Sequence, residues 1–446
     1  MSGNKNNKTF HVKVYGCQMN VYDADRVRTV LCSRGWEEVS ENEADVIMIT
    51  GCSVRAKAEQ KVWSELGLYD SSWKKSHRPL VALTGCIAQR IGLNALNRFP
   101  YVRLIAGPRH IGLLPDAIEQ ITSHPKSRIN LLDDDPKEFH TLNFDSDNIT
   151  IKRANKHKAY VTIAHGCDNF CTYCIVPYVR GRFVSRKPED IFDECRMLID
   201  DGVKEITLLG QNVNSYGKDI GLNFAWLLEK VAAMNGIKRV RFVTSLPQDF
   251  TEDIVDVMSG TETVCPSLNL PVQSGSTRVL RMMNRKYTRE EYIDKVRMTR
   301  EKISGLGLTT DLIVGFPGET EEDFNDSMSL LNEIRFDLVH SAAYSEREGT
   351  PAATMEGALP VELRLERLNK LNELQDRITL EINRALTGEI FEILVDDPAP
   401  KGEGLLQGRT PSDKVVIFEG NASLLGQFVK VKITEAEAWC LHGVLV

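Results

Sequence analysis

The 446-residue chain reads as an α/β protein in three parts: an amino-terminal doubly wound α/β domain, an incomplete barrel of six βα units, and a small carboxy-terminal all-β barrel. Three observations carry that reading. Short apolar, β-branched runs alternate with amphipathic stretches through the first two parts, as strands and helices do around a parallel sheet. The first three of these runs end in Gly-Cys at nearly equal spacing. After Gly388 the texture changes to short strand-like runs separated by Gly, Asp and Asn turns.

The opening runs are HVKVYGC ending at Cys17, VIMITGC at Cys52 and LVALTGC at Cys86, with plausible helices from Ala24 to Arg34 and Ser53 to Leu66 between them. That order describes a parallel sheet with right-handed crossovers. The cysteines lie 35 and 34 residues apart, one βα unit each. All three therefore fall at carboxyl ends of parallel strands, the edge of an open sheet where ligands bind, and are expected to converge. Residues 9–124 form this first domain. Periodicity then fades around Asp133-Asp-Asp-Pro136 and the basic stretch Lys152 to Lys158, so 125–152 reads as a linker.

Residues 153–383 hold six further apolar runs, AYVTIAHGC, EITLLGQNV, RVRFVTSLP, SLNLPVQSG, LTTDLIVGFPG and DLVHSAAYS. Helical stretches such as Pro188 to Asp201 and Arg289 to Ile303 separate most of them. Six units fit an incomplete barrel better than a closed eight-stranded one. The Leu-, Glu- and Arg-rich segment Pro360 to Ala385 should be a long helix leading out of this domain. Residues 384–446, with EIFEILV, KVVIFEG and QFVKVKITEA, suggest a small barrel of the oligonucleotide-binding kind.

Composition narrows the function. A net charge of −7 argues against an indiscriminate nucleic-acid binder while leaving room for a local basic groove. The polar start MSGNKNNKTF lacks the apolar stretch of a secretory signal, and no apolar run is long enough to span a bilayer, so the expectation is a cytoplasmic protein with no membrane partner. Its 10 cysteines are then ligands or core residues rather than disulfides.

The run His165-Gly-Cys167-Asp-Asn-Phe-Cys171-Thr-Tyr-Cys174 supplies three thiolates where a closed tetrahedral site needs four. At 10 cysteines in 446 residues, this spacing arises by chance at a given cysteine about once in two thousand. Three thiolates on a four-iron cluster leave one iron open to a small molecule. The same count at Cys17, Cys52 and Cys86 points to a second cluster with an open iron. Cys32, Cys195, Cys265 and Cys440 have no partner at ligand spacing and read as core.

A CxxxCxxC loop at the mouth of a barrel resembles the radical S-adenosylmethionine superfamily. The chain from about residue 9 to its end is similar to the methylthiotransferases, which join a three-cysteine domain, a radical core and a TRAM barrel. YGCQMN at Tyr15 to Asn20, GCSVRAKAE at Gly51 to Glu59 and CTYCIVPYVRG at Cys171 to Gly181 most resemble the tRNA-acting branch. The resemblance implies two [4Fe-4S] clusters and S-adenosylmethionine as cosubstrate. One S-adenosylmethionine methylates a sulfur held at the Cys17/Cys52/Cys86 cluster. A second yields a 5′-deoxyadenosyl radical at the Cys167/Cys171/Cys174 cluster, which takes hydrogen from C2 of N6-isopentenyladenosine at position 37 of tRNA so that the methylthio group is placed there. The implied partners are the tRNA anticodon loop, an external electron donor and a sulfur source. Alternatives are methylthiolation of threonylcarbamoyl-adenosine or of a ribosomal-protein aspartate and, more remotely, an iron–sulfur electron carrier or RNA-binding sensor.

The resemblance also places Tyr173 near the adenine of the cosubstrate. Gln211 and Asn212 follow a buried strand and either bind the cosubstrate or cap a loop. Ser245, Gln273 and Asp311 sit near the carboxyl ends of later strands. Beside the second triplet, Tyr178 to Lys187 interleaves cations and aromatics, as phosphate pairing and base stacking require, with Arg180 and Arg182 as candidate RNA contacts and Arg347 as a third.

Overall fold

The computed structural model describes residues 8–53, 56–132, 151–153 and 155–446. They form two compact units. One comprises the amino-terminal part with His165–Asp168 and Cys174–Val184; the other comprises Asn155–Ala164, Asn169–Tyr173 and Ser185–Val446. Among the described residues no helix is long and apolar enough to cross a membrane.

The first unit is built on a six-stranded, all-parallel sheet. Its order is Glu37–Glu38, Thr9–Tyr15, Val46–Gly51, Leu80–Thr84, Val102–Ala106 and Ile129–Leu131. Every residue of Val46–Gly51 and Leu80–Thr84 is buried, as expected for central strands covered on both faces. Phe10, Val27, Leu31, Ile47, Leu83, Ile87, Leu104 and Ile118 belong to its core. The winding reverses between Thr9–Tyr15 and Val46–Gly51, the switch point at which an open sheet leaves a crevice. Register aligns Tyr15 with Gly51 and Thr50 with Thr84, so the three Gly-Cys ends share one edge.

Three expectations for this unit change. The first helix is Gln18–Ser33 and begins six residues before the expected Ala24. Asn20 and Asp23 are polar yet buried, which breaks the apolar period that would have revealed the first turns. The second helix is Ala56–Leu68; residues 54 and 55 of the expected span lie outside the described residues. The segment read as linker contributes the edge strand Ile129–Leu131. Most of the rest of that segment, including Asp133 to Pro136, lies outside the described residues.

The second unit contains the six expected strands: Lys158–Thr162, Glu205–Leu209, Arg239–Phe242, Ser267–Asn269, Gly307–Val314 and Leu338–Ala343. They form two parallel three-stranded sheets in chain order, bridged at Val240 and Val264. Pro188–Asp200 and Arg289–Lys302 are the expected helices to within one residue. The long helix is Val361–Arg384, burying Leu371, Leu374 and Ile378 at the three-and-four spacing of one helical face.

At the carboxyl end five strands close into a barrel in the order Ile390–Pro398, Leu405–Arg409, Val415–Glu419, Leu441–Leu445 and Phe428–Ala436. Ile393, Leu406, Val416, Phe418 and Val431 fill it. Two buried arginines of the strand Arg239–Phe242 hold the barrel by its backbone. Arg239 donates to the carbonyls of Arg409 (2.9 Å) and Glu392 (2.7 Å), and Arg241 to those of Pro411 and Thr410 (both 2.8 Å).

Candidate functional site

The first cysteine trio is assembled entirely within the first unit. Cys17 is the N-cap residue of Gln18–Ser33, Cys86 opens the helix Cys86–Arg98, and Cys52 directly follows the strand Val46–Gly51. Gly16 is dictated by crowding: a Cβ there would lie 2.7 Å from the Cys52 Cβ. A hydrogen bond with Cys52, together with Arg180 and the amides of Asn20 and Met19, outweighs burial and draws the Cys17 thiol down to about 5. A helix amino terminus favours a thiolate in the same way. Burial pushes Cys86 up, opposed by Arg180.

Arg180 is 4% exposed and its Nε donates to the Cys86 Sγ at 3.0 Å. Its guanidinium also lies 3.8 Å from the buried carboxylate of Asp23, which burial raises to about 6 despite the arginine. Arg109, also buried, fixes the segment by donating to the carbonyls of Arg180 (2.9 Å) and Arg182 (3.1 Å). A buried cation beside Cys17 and Cys86 suits a net-negative iron–sulfur group. The expectation of an RNA contact fails for Arg180, because the side chain is turned inward to the thiols. Arg182 is exposed and pairs with Asp168 at 2.6 Å.

In the second triplet, Cys167 and Cys174 fall in the first unit and Cys171 in the second. The Cys167 amide donates to the Gly181 carbonyl at 3.1 Å. Gly166, with φ of +73°, tolerates no side chain, since a Cβ would sit 2.0 Å from the Arg182 carbonyl oxygen. In the second unit the loop is held by Asn284, donating to the carbonyls of Asn169 (3.2 Å) and Phe170 (3.0 Å), and by Gln248, donating to Asn169 Oδ1 at 2.7 Å. Tyr173 accepts a hydrogen bond from the buried Arg285 and packs against the cluster of Val279, Met283, Phe316 and Tyr344.

Of the other candidates, Asp311 lies inside a strand and the rest follow the carboxyl ends of strands. Gln211 is half-buried after Glu205–Leu209. Asn212 is buried; its amide donates to Ser215 (2.8 Å) and Asp249 (2.6 Å), leaving Oδ1 without a partner among the described residues. Among the described residues the buried Ser245 hydroxyl has no partner, and neither has that of Tyr344 after the sixth strand. Gln273 adopts φ of +73° and lies beside Leu312, its backbone bonded to Asp311 and Ile313. Asp311 lies within its strand and accepts from Asn269 at 3.2 Å. Arg347 is half-buried. Buried polar atoms without partners call for a polar ligand, so Asn212, Ser245 and Tyr344 suit a polar cosubstrate.

Sequence reasoning missed Asn20, Asp23, Arg109, Arg285 and Tyr344. Asn20 and Asp23 follow Cys17 at three-residue steps on one helical face, a signal that was available. The arginines and Tyr344 act across long sequence separations. Of the four cysteines read as core, Cys195 and Cys265 are buried and Cys32 packs at the core edge, but Cys440 is partly exposed beside His442 and Glu437. It is a surface residue because it closes a turn.

Residues 161–331 match the Radical SAM superfamily, 9–107 the uncharacterized protein family UPF0004, and 384–446 the TRAM domain. The fold resembles a radical S-adenosylmethionine methyltransferase, TsrM, from Kitasatospora setae, with a TM-score of 0.58 at 15% identity over 90% of this chain and 80% of that one. Fold and domain matches define a radical S-adenosylmethionine enzyme with an added TRAM barrel. The tRNA-2-methylthio-N(6)-dimethylallyladenosine synthase of Moorella thermoacetica is 46% identical over 99% of both chains, and that of Aquifex aeolicus 42% identical over 98% of this chain and 99% of its own. The chain belongs to the tRNA-2-methylthio-N(6)-dimethylallyladenosine synthase family.

Proposed function

We propose that this chain attaches a methylthio group to C2 of N6-isopentenyladenosine at position 37 of tRNA, consuming S-adenosylmethionine. The supporting observation is the convergence of Cys17, Cys52 and Arg180-bound Cys86 at one sheet edge in a member of this family. Cys17, Cys52 and Cys86 would hold one [4Fe-4S] cluster, and Cys167, Cys171 and Cys174 another. When bound, these groups supply an electron to S-adenosylmethionine and a place for the sulfur to be transferred, chemistry that side chains do not furnish.

The chain's own residues bind and orient. Cys17, already acidic, offers a thiolate at neutral pH, and Arg180 balances the negative charge gathered beside it. Asn212, Ser245 and Tyr344 would satisfy their unpartnered atoms on the polar groups of S-adenosylmethionine, with Gln211, Gln273 and Asp311 nearby and Tyr173 steadied by Arg285. Arg182 and Arg347 remain candidate phosphate contacts, and loss of either would flatten the salt dependence of tRNA binding by about one unit. The working division is 9–124, 125–152, 153–383 and 384–446. The reaction needs an external electron donor and a sulfur source, and we place it in the cytoplasm.

Anaerobic turnover of the reconstituted protein with reductant, S-adenosylmethionine and isopentenyl-containing tRNA tests the reading. A 2-methylthio nucleoside formed with 5′-deoxyadenosine supports it. Deoxyadenosine alone moves the substrate to threonylcarbamoyl-adenosine or a ribosomal-protein aspartate, and redox activity without turnover moves the chain to an electron carrier.

A further inference from the structure

The last hairpin of the carboxy-terminal barrel joins Phe428–Ala436 to Leu441–Leu445, with Ala436 opposite Leu441 and Glu435 opposite His442. The four-residue turn Glu437 to Cys440 is closed by the Glu437 amide donating to the Cys440 carbonyl at 2.9 Å. Leu441 is fully buried, so strand alternation turns His442 outward. The turn is held from below. Asn383, 4% exposed near the end of Val361–Arg384, donates to the carbonyls of Glu437 (2.8 Å) and Ala438 (3.3 Å), while Lys414 donates to its Oδ1 at 2.9 Å.

On this fixed turn three chemically different donors face one another. Cys440 Sγ lies 3.6 Å from His442 Nε2 and 3.6 Å from Glu437 Oε2, and His442 Nε2 lies 3.4 Å from Glu437 Oε1. Among the described residues this is the one group of three potential ligands whose donor atoms all lie within 4.8 Å of one another. A tetrahedral ion bound at about 2.3 Å to sulfur and about 2.0–2.1 Å to nitrogen and oxygen separates sulfur from either light atom by about 3.6 Å and the light atoms by about 3.4 Å. The sulfur–nitrogen edge matches, and the Glu437 carboxylate meets the other two through different oxygens, Oε2 toward sulfur and Oε1 toward nitrogen, so a small turn of that exposed side chain brings one oxygen to the ion.

We propose that Glu437, Cys440 and His442 form a binding site for a single borderline divalent transition-metal ion, zinc foremost. A thiolate, an imidazole and a carboxylate form the mixed donor set that zinc accepts and that magnesium and calcium do not. Three protein ligands leave the fourth position to water. Binding displaces the Cys440 proton and ties the turn to both strands of the hairpin, so occupancy stabilises the barrel. The site shares no residue with the six cluster cysteines, and the proposal does not depend on the reading of the reaction.

The test uses the full chain with its clusters reconstituted, incubated with zinc and gel-filtered, alongside His442→Ala and Cys440→Ser. Zinc and iron are counted by mass spectrometry, and the zinc environment is read by X-ray absorption. The expected result is a single retained zinc with one sulfur and otherwise nitrogen or oxygen neighbours, lost in both variants while iron is unchanged. Zinc retained equally by the variants, or ligated by sulfur alone, or absent from the parent, overturns the site. Circular dichroism confirms that both variants fold, and zinc should raise the melting temperature of the parent but not of His442→Ala.

Discussion

Arg180 Nε donates to Cys86 Sγ at 3.0 Å in a pocket where the arginine is 4% and the cysteine 3% exposed. Such a bond withdraws charge from sulfur, and a buried guanidinium adds a fixed positive charge beside it; both favour the reduced state of a cluster held there. Arg180→Met should therefore shift the first cluster to a more negative midpoint potential, by tens of millivolts, and Arg180→Lys by less. Voltammetry on a background in which Cys167, Cys171 and Cys174 are all alanine isolates that cluster. An unchanged potential with full iron content would show that Arg180 serves packing alone.

Replacing Cys17, Cys52 and Cys86 with Ala should lower iron and sulfide by one cluster, leave reductive cleavage of S-adenosylmethionine intact, and abolish the methylthio product. The thiols reside in separate βα units, and Cys52 and Cys86 are buried, so alanine is tolerated sterically. Iron content equal to the parent's would contradict the assignment.

The barrel anchor should be separable from the cluster chemistry. Arg241 donates to Thr410 and Pro411 and lies 3.1 Å from the carboxylate of Glu205, which is 2% exposed. Arg241→Met leaves Glu205 with Lys158 at 3.3 Å and the charge of Arg239, and leaves the two carbonyls without their donor, a cost of about 3 kcal/mol. The expected readout is protease cleavage near residue 384 at rates the parent does not show, with iron content retained.

Asp323 gives a pH signature. Burial alone would raise its carboxyl, but hydrogen bonds from Arg278, from Ser276 (2.6 Å) and from the Thr320 amide (2.8 Å) hold it well below the ordinary range. A folded-state value below the unfolded one means that the stabilisation is complete above the unfolded pKa of about 3.9 and fades as pH falls below it. Asp323→Ala should thus cost about 1–3 kcal/mol at pH 7, and the gap from the parent should narrow in thermal melts as pH drops below about 4.

The parts of this protein written as local patterns were legible. Strand-terminal Gly-Cys at Cys17, Cys52 and Cys86 gave topology and convergence together, because a parallel sheet repeats one βα unit and so repeats its edge. The start of the first helix was hidden because Asn20 and Asp23 spend its buried face on polar groups. Arg180 was misread because a basic run ordinarily faces solvent, whereas here thiols and Asp23 lie across from it. Cys440 was misread because its partners, three residues back and two ahead, meet only when a turn folds them together. Arg109, Arg285 and Tyr344 depend on contacts between distant segments, which no local window contains.

The two cysteine groups differ in how their ends are brought together. Cys167 to Cys174 spans eight residues, so an unfolded or nascent chain can already wrap it around iron at little entropic cost. Cys17 to Cys86 spans seventy residues and three strands, and those thiols meet only after the sheet has zipped in register. With clusters held as proposed, loading would be ordered by folding: the short triplet would capture metal early, whereas the long trio would act as a proofreader of topology, holding its cargo only on chains that have completed the crossover at the switch point.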